Sequence, residues 1–279
     1  MKKITRRSFL AAAGLTAAAL ALTACGGSSS GTASSTASSA ASSEAASSSA
    51  AAGELTTVEA GKLTMATNAA FPPYEMTTDS GEFEGIDVET AQAIADKLGL
   101  ELQIDDMDFD AALLSVQQGK ADIVMAGVTV TDERKAVMDF SDSYATGIQS
   151  IIVPEGSDIA SPDDLAGKKI GTQRGTTGYI YCSDDFGDEN VVAYDDGLTA
   201  VQALNNGQVD AVVIDNAPAK EFVAANPGLV ILDTSYAEED YAIGMAKGSS
   251  LENAINSALE ELKADGTLQS IVDKYITAE

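Results

Sequence analysis

The stretch Gly119–Tyr144, GKADIVMAGVTVTDERKAVMDFSDSY, is the most informative part of the chain. It begins at a glycine that would end a helix, and a short apolar strand, broken only by Asp122, follows over 121–126. Thr129 comes just after that strand, and Arg134 lies five residues beyond it. An arginine fork can grip both oxygens of a small carboxylate, and a neighbouring hydroxyl can add a third donor. On composition alone, however, a surface ion pair between Arg134 and a neighbouring acid is the favoured interpretation.

Composition excludes several classes of function. The chain has 279 residues, 45% hydrophobic and 21% charged, which is enough for one or two cores. Its formal net charge is −27, and without the first 24 residues it has 12 bases against 43 acids. Such a chain repels nucleic acid and anionic membrane surfaces, so no nucleic-acid partner is expected. The absence of histidine excludes Ser-His-Asp catalysis and histidine metal sites, and neither a metal nor a cofactor is expected.

The N-terminus has the organisation of an export signal. A basic segment, Lys2–Arg7, precedes an apolar stretch that is too short to span a bilayer permanently. The sequence Leu-Thr-Ala-Cys, ending at Cys25, resembles the lipobox of bacterial lipoproteins, whose cysteine is lipidated and becomes the mature N-terminus. Residues 1–24 are therefore predicted to be a lipoprotein signal peptide. Thr5–Leu10 also resembles a twin-arginine signal, which leaves the export route open.

A segment rich in Ser, Ala and Gly follows the lipobox. Residues 25–58, starting with a lipidated Cys25, are predicted to be a disordered tether, because this composition cannot bury enough apolar surface to offset the entropy of ordering. About 30 such residues span on the order of 30 Å. The folded body would contact the membrane through this lipid alone. The other cysteine, Cys182, is expected to be a buried or idle thiol.

Strands and helices alternate from about Glu59 onwards. Leu63–Thr67 alternates as a strand, and two prolines then force an extended loop that projects Phe71 and Tyr74. Apolar residues recur on one face of a helix over 88–98. The first part of the body is therefore predicted to be of α/β type.

Three helix starts are predicted from their polar residues. Asp110 is expected to cap the second helix, and Ser249 with Glu252 is expected to form a capping box before the first C-terminal helix. The segment Gln173–Gly178 is expected to open a further helix, where glycine and threonine would expose N–H groups suited to an anion.

Two segments that lie 88 positions apart have the same order of structural features. Gln118–Val124 and Asn206–Val212 both contain a helix end, a glycine, two residues, an aspartate and an apolar strand. Helix–strand alternation in both parts predicts two α/β lobes, each a mainly parallel sheet flanked by helices. Ligands of such sheets bind in the crevice beyond the carboxyl ends of strands. Thr129 follows one such end and Asp215 the other, so Arg134 and Asp215 are predicted to face each other across a cleft.

This pairing of charges suits a zwitterion such as an α-amino acid. Its carboxylate would meet Arg134 and its ammonium would meet Asp215, since a buried charge needs an opposite charge. The rings of Phe71 and Phe109 could enclose the side chain. An alternative for Asp215, equally well supported by the local sequence, is the N-cap of a helix that contains Pro218.

Several spaced motifs over residues 60–278 resemble the family 3 extracellular solute-binding proteins, the amino-acid-binding components of ABC importers. The most specific motif is G-x-x-D-[IL]-x-x-[AS]-G-[MV]-[ST]-[IV]-[TS]-x-x-R, followed by F-S-x-x-Y. Gly119–Arg134 and Phe140–Tyr144 match it throughout. Other motifs of the family are matched by Phe71–Glu75, Gly85–Val88, Asp164–Gly171 and Gly175–Thr177.

The resemblance implies roles for individual residues. Those expected to bind the α-carboxylate of the ligand are Arg134, Thr129 and the N–H groups of Thr176 and Thr177. Those expected to bind the α-ammonium are the Gly127 carbonyl and Asp215. Those expected around the side chain are Phe71, Phe109, Asn68 and Gln173. Family members selective for basic or amide side chains often carry an acid where Asn68 stands, so a polar or neutral ligand is expected rather than lysine or arginine.

The resemblance also implies a two-lobed periplasmic-binding-protein-like fold of type II, with a ligand cleft between the lobes. Residues 59–147 and 238–279 would form lobe 1, and residues 148–237 would form lobe 2. A hinge would close the lobes around the ligand. The expected partners are a free amino acid and the transmembrane subunits of an ABC permease, and the exported, lipid-anchored protein is expected to be a monomer.

An alternative on the same fold is an exported dehydratase acting on cyclohexadienyl acids such as prephenate. That reaction needs a positioned acid or base, and the chain has no histidine. Glu75 is the only carboxylate in the motifs that could serve, and a hydrogen bond that stabilises its loop is the simpler role. The chain is therefore predicted to be a binding protein and not an enzyme.

Overall fold

The computed structural model describes residues 55–276. The predicted signal peptide over 1–24, the predicted lipid site at Cys25 and most of the predicted tether lie outside the described residues. At the start of the described part, Leu55 already packs against the core, and the Val58 N–H donates to Asp122 at 2.7 Å. No helix within residues 55–276 is long and apolar enough to cross a membrane.

Strands and helices alternate through much of the described part, with runs of strands at β1–β4 and β12–β14. The strands are β1 Lys62–Thr67, β2 Ala70–Phe71, β3 Glu75–Thr77, β4 Phe83–Glu84, β5 Glu101–Asp106, β6 Ile123–Val124, β7 Met138–Phe140, β8 Ala145–Pro154, β9 Ile170–Gln173, β10 Val191–Tyr194, β11 Ala211–Asp215, β12 Leu229–Ile231, β13 Ala237–Tyr241 and β14 Gly244–Ala246. The α-helices are α1 Ile86–Leu98, α2 Phe109–Gln117, α3 Asp132–Val137, α4 Thr177–Phe186, α5 Gly197–Asn205, α6 Asn216–Ala225, α7 Glu252–Ala264 and α8 Thr267–Tyr275. Two 3₁₀-helices lie at Pro162–Leu165 and Asp188–Asn190.

The first of two large sheets has the strand order β5-β1-β6-β14-β7. Strand β1 runs parallel to β5 and β6, whereas β14 runs antiparallel to β6 and β7. Alternate residues of its central strands face opposite sides, so Met65 and Ile123 pack towards α1 and α7 while Ala66 and Val124 pack towards α2. Because both faces are covered, the central strands are buried along most of their length, including Thr64 and Thr67 of β1. We call this sheet and its helices the first lobe.

The second large sheet has the order β10-β9-β11-β8-β12, with β13 also paired to β8. Strand β9 runs parallel to β10 and β11, and β8 runs antiparallel to β11, β12 and β13. We call this sheet and its helices the second lobe. The expected α/β architecture with two sheets is confirmed, and each sheet combines a parallel part with an antiparallel part.

The chain passes between the two sheets twice. It leaves the first sheet after β7 and enters the second with β8, and it returns between β13 and β14. Strands β8 and β13 pair with each other along this crossing, with Glu239 opposite Gly147 and Tyr241 opposite Ala145. Thr129 also forms a bridge with Tyr241. The boundaries expected for the lobes, 59–147 with 238–279 and 148–237, remain a prediction.

Two of the expected helix caps are wrong. Helix α2 begins at Phe109, one residue before Asp110, because burial of the Phe109 ring draws that residue into the first turn. Helix α7 begins at Glu252, and Ser249 instead accepts a hydrogen bond from the Leu251 N–H at 3.2 Å. Ser249 therefore lies in the turn before the helix and does not form the capping box.

Candidate functional site

A small cavity lies between the two lobes. All ten residues that the sequence analysis placed in a ligand site line it: Asn68, Phe71, Phe109, Gly127, Thr129, Arg134, Gln173, Thr176, Thr177 and Asp215. Six residues that it did not assign to the ligand also line the cavity: Glu75, Ala126, Gln149, Val213, Ile214 and Tyr241.

Arg134 is buried in this cavity, with 9% of its surface exposed. It stands in the first turn of α3, where Thr131 caps the helix by accepting from the Arg134 N–H at 3.1 Å. Its guanidinium donates to the Thr129 carbonyl at 2.8 Å and to the Gly175 carbonyl at 3.2 Å. The guanidinium carbon lies 5.4 Å from the centre of the Phe109 ring, which is cation–π geometry.

The surface ion pair considered for Arg134 is therefore wrong. No carboxylate in the described part of the chain forms a salt bridge with the guanidinium. Burial lowers the pKa of Arg134, while the field of the nearby Glu239 carboxylate opposes that shift. The site thus holds a buried cation whose direct hydrogen bonds go only to neutral carbonyl groups.

The N-terminus of α4 opens onto the same cavity. Thr176 caps the helix by accepting from the Tyr179 N–H at 3.3 Å, and Thr177 is the first helical residue. The first N–H groups of a helix have no partner within it and carry a partial positive charge. A carboxylate beside Arg134 would therefore meet further donors from the second lobe.

Asp215 ends β11 and is buried, with 2% of its surface exposed. Its side chain caps α6 by accepting from the Ala217 N–H at 3.1 Å, and its other oxygen accepts from the Tyr241 hydroxyl at 2.6 Å. Asp215 is therefore a helix cap and also a wall of the cavity, so the two interpretations of this residue are compatible. Burial raises the pKa of its carboxyl to about 6, although these hydrogen bonds oppose the shift.

The two lobes touch each other around the cavity. Gln173 donates to the Asn68 side-chain oxygen at 2.8 Å, and Arg134 reaches the Gly175 carbonyl across the cleft. A side-chain carbon at Gly175, where φ is +74°, would lie 1.6 Å from an Asp110 oxygen, so only glycine fits there. The structure therefore shows the closed arrangement of the lobes.

Glu75 is a buried carboxyl that the sequence analysis misjudged. It is fully buried and lines the cavity, and no donor hydrogen-bonds to either of its oxygens. The loop-stabilising hydrogen bond expected for it is therefore absent, and the Asp87 carboxyl is its charged neighbour. Burial raises the pKa of Glu75 well above its usual value, and the neighbouring Asp87 carboxyl raises it further.

Glu239 is a second carboxyl that sequence reasoning missed. It is buried on β13, and its Oε2 accepts from Thr129, Gln149 and Thr177 at 3.1, 3.0 and 2.9 Å. The alternation of β13 indicates that Glu239 and Tyr241 share a face, and this was the only available signal. Local sequence does not reveal that this face is turned towards the cleft.

Comparison with known proteins identifies the family. The profile of the bacterial extracellular solute-binding proteins, family 3, matches residues 63–278, and the chain belongs to this family. The L-cystine-binding protein TcyJ of Escherichia coli K12 is 33% identical over 226 residues, which cover 79% of this chain and 85% of TcyJ. The arginine-binding extracellular protein ArtP of Bacillus subtilis is 33% identical over 228 residues, which cover 78% of this chain and 87% of ArtP.

Solved structures agree with this assignment. An ancestral arginine-binding protein bound to glutamine is 42% identical, with a TM-score of 0.75 over 78% of this chain and 99% of that one. A mutant of ArgBP from T. maritima is 40% identical, with a TM-score of 0.74 over 78% of this chain and 96% of that one. The fold is the two-lobed type II fold of binding proteins. The chain is a solute-binding protein of amino acid ABC transport, and the dehydratase alternative is wrong.

We predict that Asp215→Asn stabilises the ligand-free protein at pH 7. The pKa of the buried carboxyl is about 6, above the ordinary value of 3.8, so the folded state binds the proton more tightly than the unfolded state. The contribution of this group to stability therefore falls as the pH rises from about 4 to about 6. The amide oxygen can still accept from the Ala217 N–H, and the amide NH2 can donate to the Tyr241 oxygen. The substitution should add on the order of 1–3 kcal/mol to the free energy of unfolding at pH 7.

Urea denaturation at pH 4 and pH 7 measures this effect. The gain should be present at pH 7 and small at pH 4. Asp240→Asn, at an exposed position on β13, is the matched control and should change neither value. A protein that is less stable at pH 7 after Asp215→Asn would contradict the prediction.

Proposed function

We propose that this chain captures a free L-α-amino acid outside the cytoplasmic membrane and delivers it, as a monomer, to the transmembrane subunits of an ABC importer. The observation that carries the proposal is the buried Arg134 guanidinium, which has no carboxylate in hydrogen-bond contact. It shares one closed cavity with the buried carboxylate of Asp215. A zwitterion supplies both missing opposite charges at once.

The ligand backbone would be held by both lobes. Its carboxylate would accept from Arg134 and from the N–H groups at the start of α4, at Thr176 and Thr177. Its ammonium would donate to Asp215 and to the Gly127 carbonyl. Because these groups come together only in the closed arrangement, ligand binding would favour closure over the open state.

The ligand side chain would lie between Phe71 and Phe109, with Asn68, Gln173 and Glu75 as its polar contacts. Glu75 would determine which class of ligand side chain the site prefers, since its oxygens are buried and receive no hydrogen bond. A buried acceptor without a donor is costly, and a ligand that brings N–H donors would remove that cost.

We propose a cationic side chain, with arginine as the first candidate and glutamine as the second. Buried carboxyls outnumber buried cations around the cavity. The carboxyls are those of Glu75, Asp215 and Glu239, and the cation is Arg134. A guanidinium offers five N–H donors and would stabilise the ionised form of Glu75. Several relatives are named for arginine, and the ancestral protein was solved with arginine and with glutamine. Glu75 would thus provide the acidic group that family members selective for basic or amide side chains often carry at the position of Asn68.

We predict that arginine produces the largest rise in melting temperature among the twenty standard amino acids, cystine and ornithine. At a concentration of about 100 times Kd, the rise should be roughly 5–10 °C. Glutamine should give a smaller rise, and glutamate, which has the same shape but no side-chain N–H, should give none. The measurement is differential scanning fluorimetry on the purified full chain.

Arg134→Ala should abolish the shift with every ligand, because the α-carboxylate loses its counter-ion. Arg174→Ala removes an exposed arginine from the second lobe and should leave the shift unchanged. Binding retained in Arg134→Ala would overturn the site, and a larger shift with an apolar amino acid would overturn the cationic class.

We predict that Glu75→Gln weakens arginine binding by about 10- to 100-fold, since it removes a charged acceptor from a buried site. Glutamine binding should change by less than about threefold, because a neutral amide can still pair with an amide. Isothermal titration calorimetry with both ligands gives the two ratios. Glu84→Gln, at an exposed position on β4, is the control. An unchanged Kd for arginine would show that Glu75 does not contact the side chain.

We also propose that the protein is exported and anchored to the outer face of the cytoplasmic membrane by a lipid on Cys25. The basic and apolar segments before the lipobox support this proposal, as does membership of an extracellular family. A lipid of this kind would provide the membrane affinity that the acidic chain lacks.

We predict that Cys25→Ser moves the protein from the membrane fraction to the soluble fraction and removes incorporation of labelled palmitate. Fractionation and palmitate labelling in a bacterial host measure both effects. Cys182→Ser, which changes a buried thiol of the second lobe, should alter neither. Membrane association that persists without Cys25 would exclude a lipid anchor at this residue.

A further inference from the structure

Glu239 makes a contact that joins the two lobes in the closed arrangement. Its Oε2 accepts from the hydroxyl of Thr129 in the first lobe at 3.1 Å and from that of Thr177 in the second lobe at 2.9 Å. The Gln149 amide on β8 donates to the same oxygen at 3.0 Å. The carboxylate itself lies on β13, one of the two strands that cross between the lobes.

The number of protons on these groups limits what they can do for a ligand. A threonine hydroxyl has one proton and can donate one hydrogen bond. While Thr129 and Thr177 donate to Glu239, neither hydroxyl can also donate to the carboxylate of an amino acid. The donors that remain for that carboxylate are the Arg134 guanidinium and the N–H groups at the start of α4.

We infer that Glu239 is an internal latch, a positioning residue that accepts one hydroxyl from each lobe and so stabilises the closed arrangement before ligand binds. The carboxylate is tolerated in the interior because the Arg134 cation is close enough to attract it. Tyr181 and Asp215 also lie within its electrostatic range, and Asp215 repels it. The latch is therefore a hydrogen-bonded contact rather than a salt bridge.

The latch affects binding through the population of the closed state. The apparent affinity for a ligand equals the intrinsic affinity multiplied by the fraction of the protein that is in the binding-competent arrangement. By raising the closed fraction, Glu239 would increase affinity without touching the ligand. This consequence rests on the proposed function, but the latch consists of the chain's own residues and can be tested without a ligand.

The experiment measures the distance between the lobes in the ligand-free protein. Spin labels are attached to introduced azide-bearing residues at Leu114 in the first lobe and Leu198 in the second, both exposed, so that the native cysteines stay untouched. Pulsed electron–electron resonance then gives the distance distribution of the full chain. The unmodified protein should show a short-distance population, that of the closed arrangement, beside the longer distance of the open state.

Glu239→Ala should lower the ratio of closed to open protein by about tenfold or more, since three hydrogen bonds to one carboxylate are lost. Glu239→Gln keeps an acceptor oxygen and should remain more closed than Glu239→Ala. Thr177→Val removes only the donor from the second lobe and should also open the protein. Glu238→Gln, an exposed neighbour on the same strand, should behave like the unmodified protein.

Two outcomes would overturn the latch. One is an unmodified ligand-free protein with no short-distance population, and the other is a distance distribution that Glu239→Ala and Thr177→Val leave unchanged. If Glu239→Ala does not fold, as judged by its thermal unfolding, Thr177→Val decides alone. Because no amino acid is added, these outcomes are independent of whether arginine or any other ligand binds.

Discussion

A buried guanidinium sets the main constraint on the cleft. Taking a cation out of water is costly unless acceptors surround it, and Arg134 finds acceptors on both lobes, at the carbonyls of Thr129 and Gly175. The Gly175 carbonyl is within reach only when the lobes meet. Solvation of this one charge and closure of the cleft are therefore linked, and the Phe109 ring covers the flat face of the cation in the closed arrangement.

Two of the polar residues that share the cavity with Arg134 lie where a strand ends and the next helix begins. Strand β11 ends at Asp215, whose side chain begins α6, and β9 leads through Gly175 to Thr176, whose side chain begins α4. In each case the residue that caps the helix also faces the cavity. The same polar atoms therefore stabilise local structure and prepare a binding surface, so these positions are preorganised before a ligand arrives.

The strand-end motifs and the resemblance to the family together predict ten site residues, and all ten line the cavity. It does not predict the acids that enter the cavity from other elements. Whether Glu239 faces inwards depends on the pairing of β13 with β8, a long-range register that local alternation leaves undefined. Glu75 was misjudged because its motif suggested a loop hydrogen bond, whereas its lack of any donor is visible only in three dimensions. The helix starts at Phe109 and Glu252 differ from expectation because packing outweighs capping propensity.

The order of strands in the first sheet also bears on synthesis and export. Strand β14, Gly244–Ala246, lies between β6 and β7, although it follows them by more than a hundred positions. The first lobe therefore cannot be completed until almost the entire chain is available, whereas the strands of the second sheet all lie between Ala145 and Tyr241. Such separation in sequence slows folding. If the chain is exported with its N-terminus first, as proposed, its first lobe would stay incomplete until nearly all of the chain has crossed the membrane.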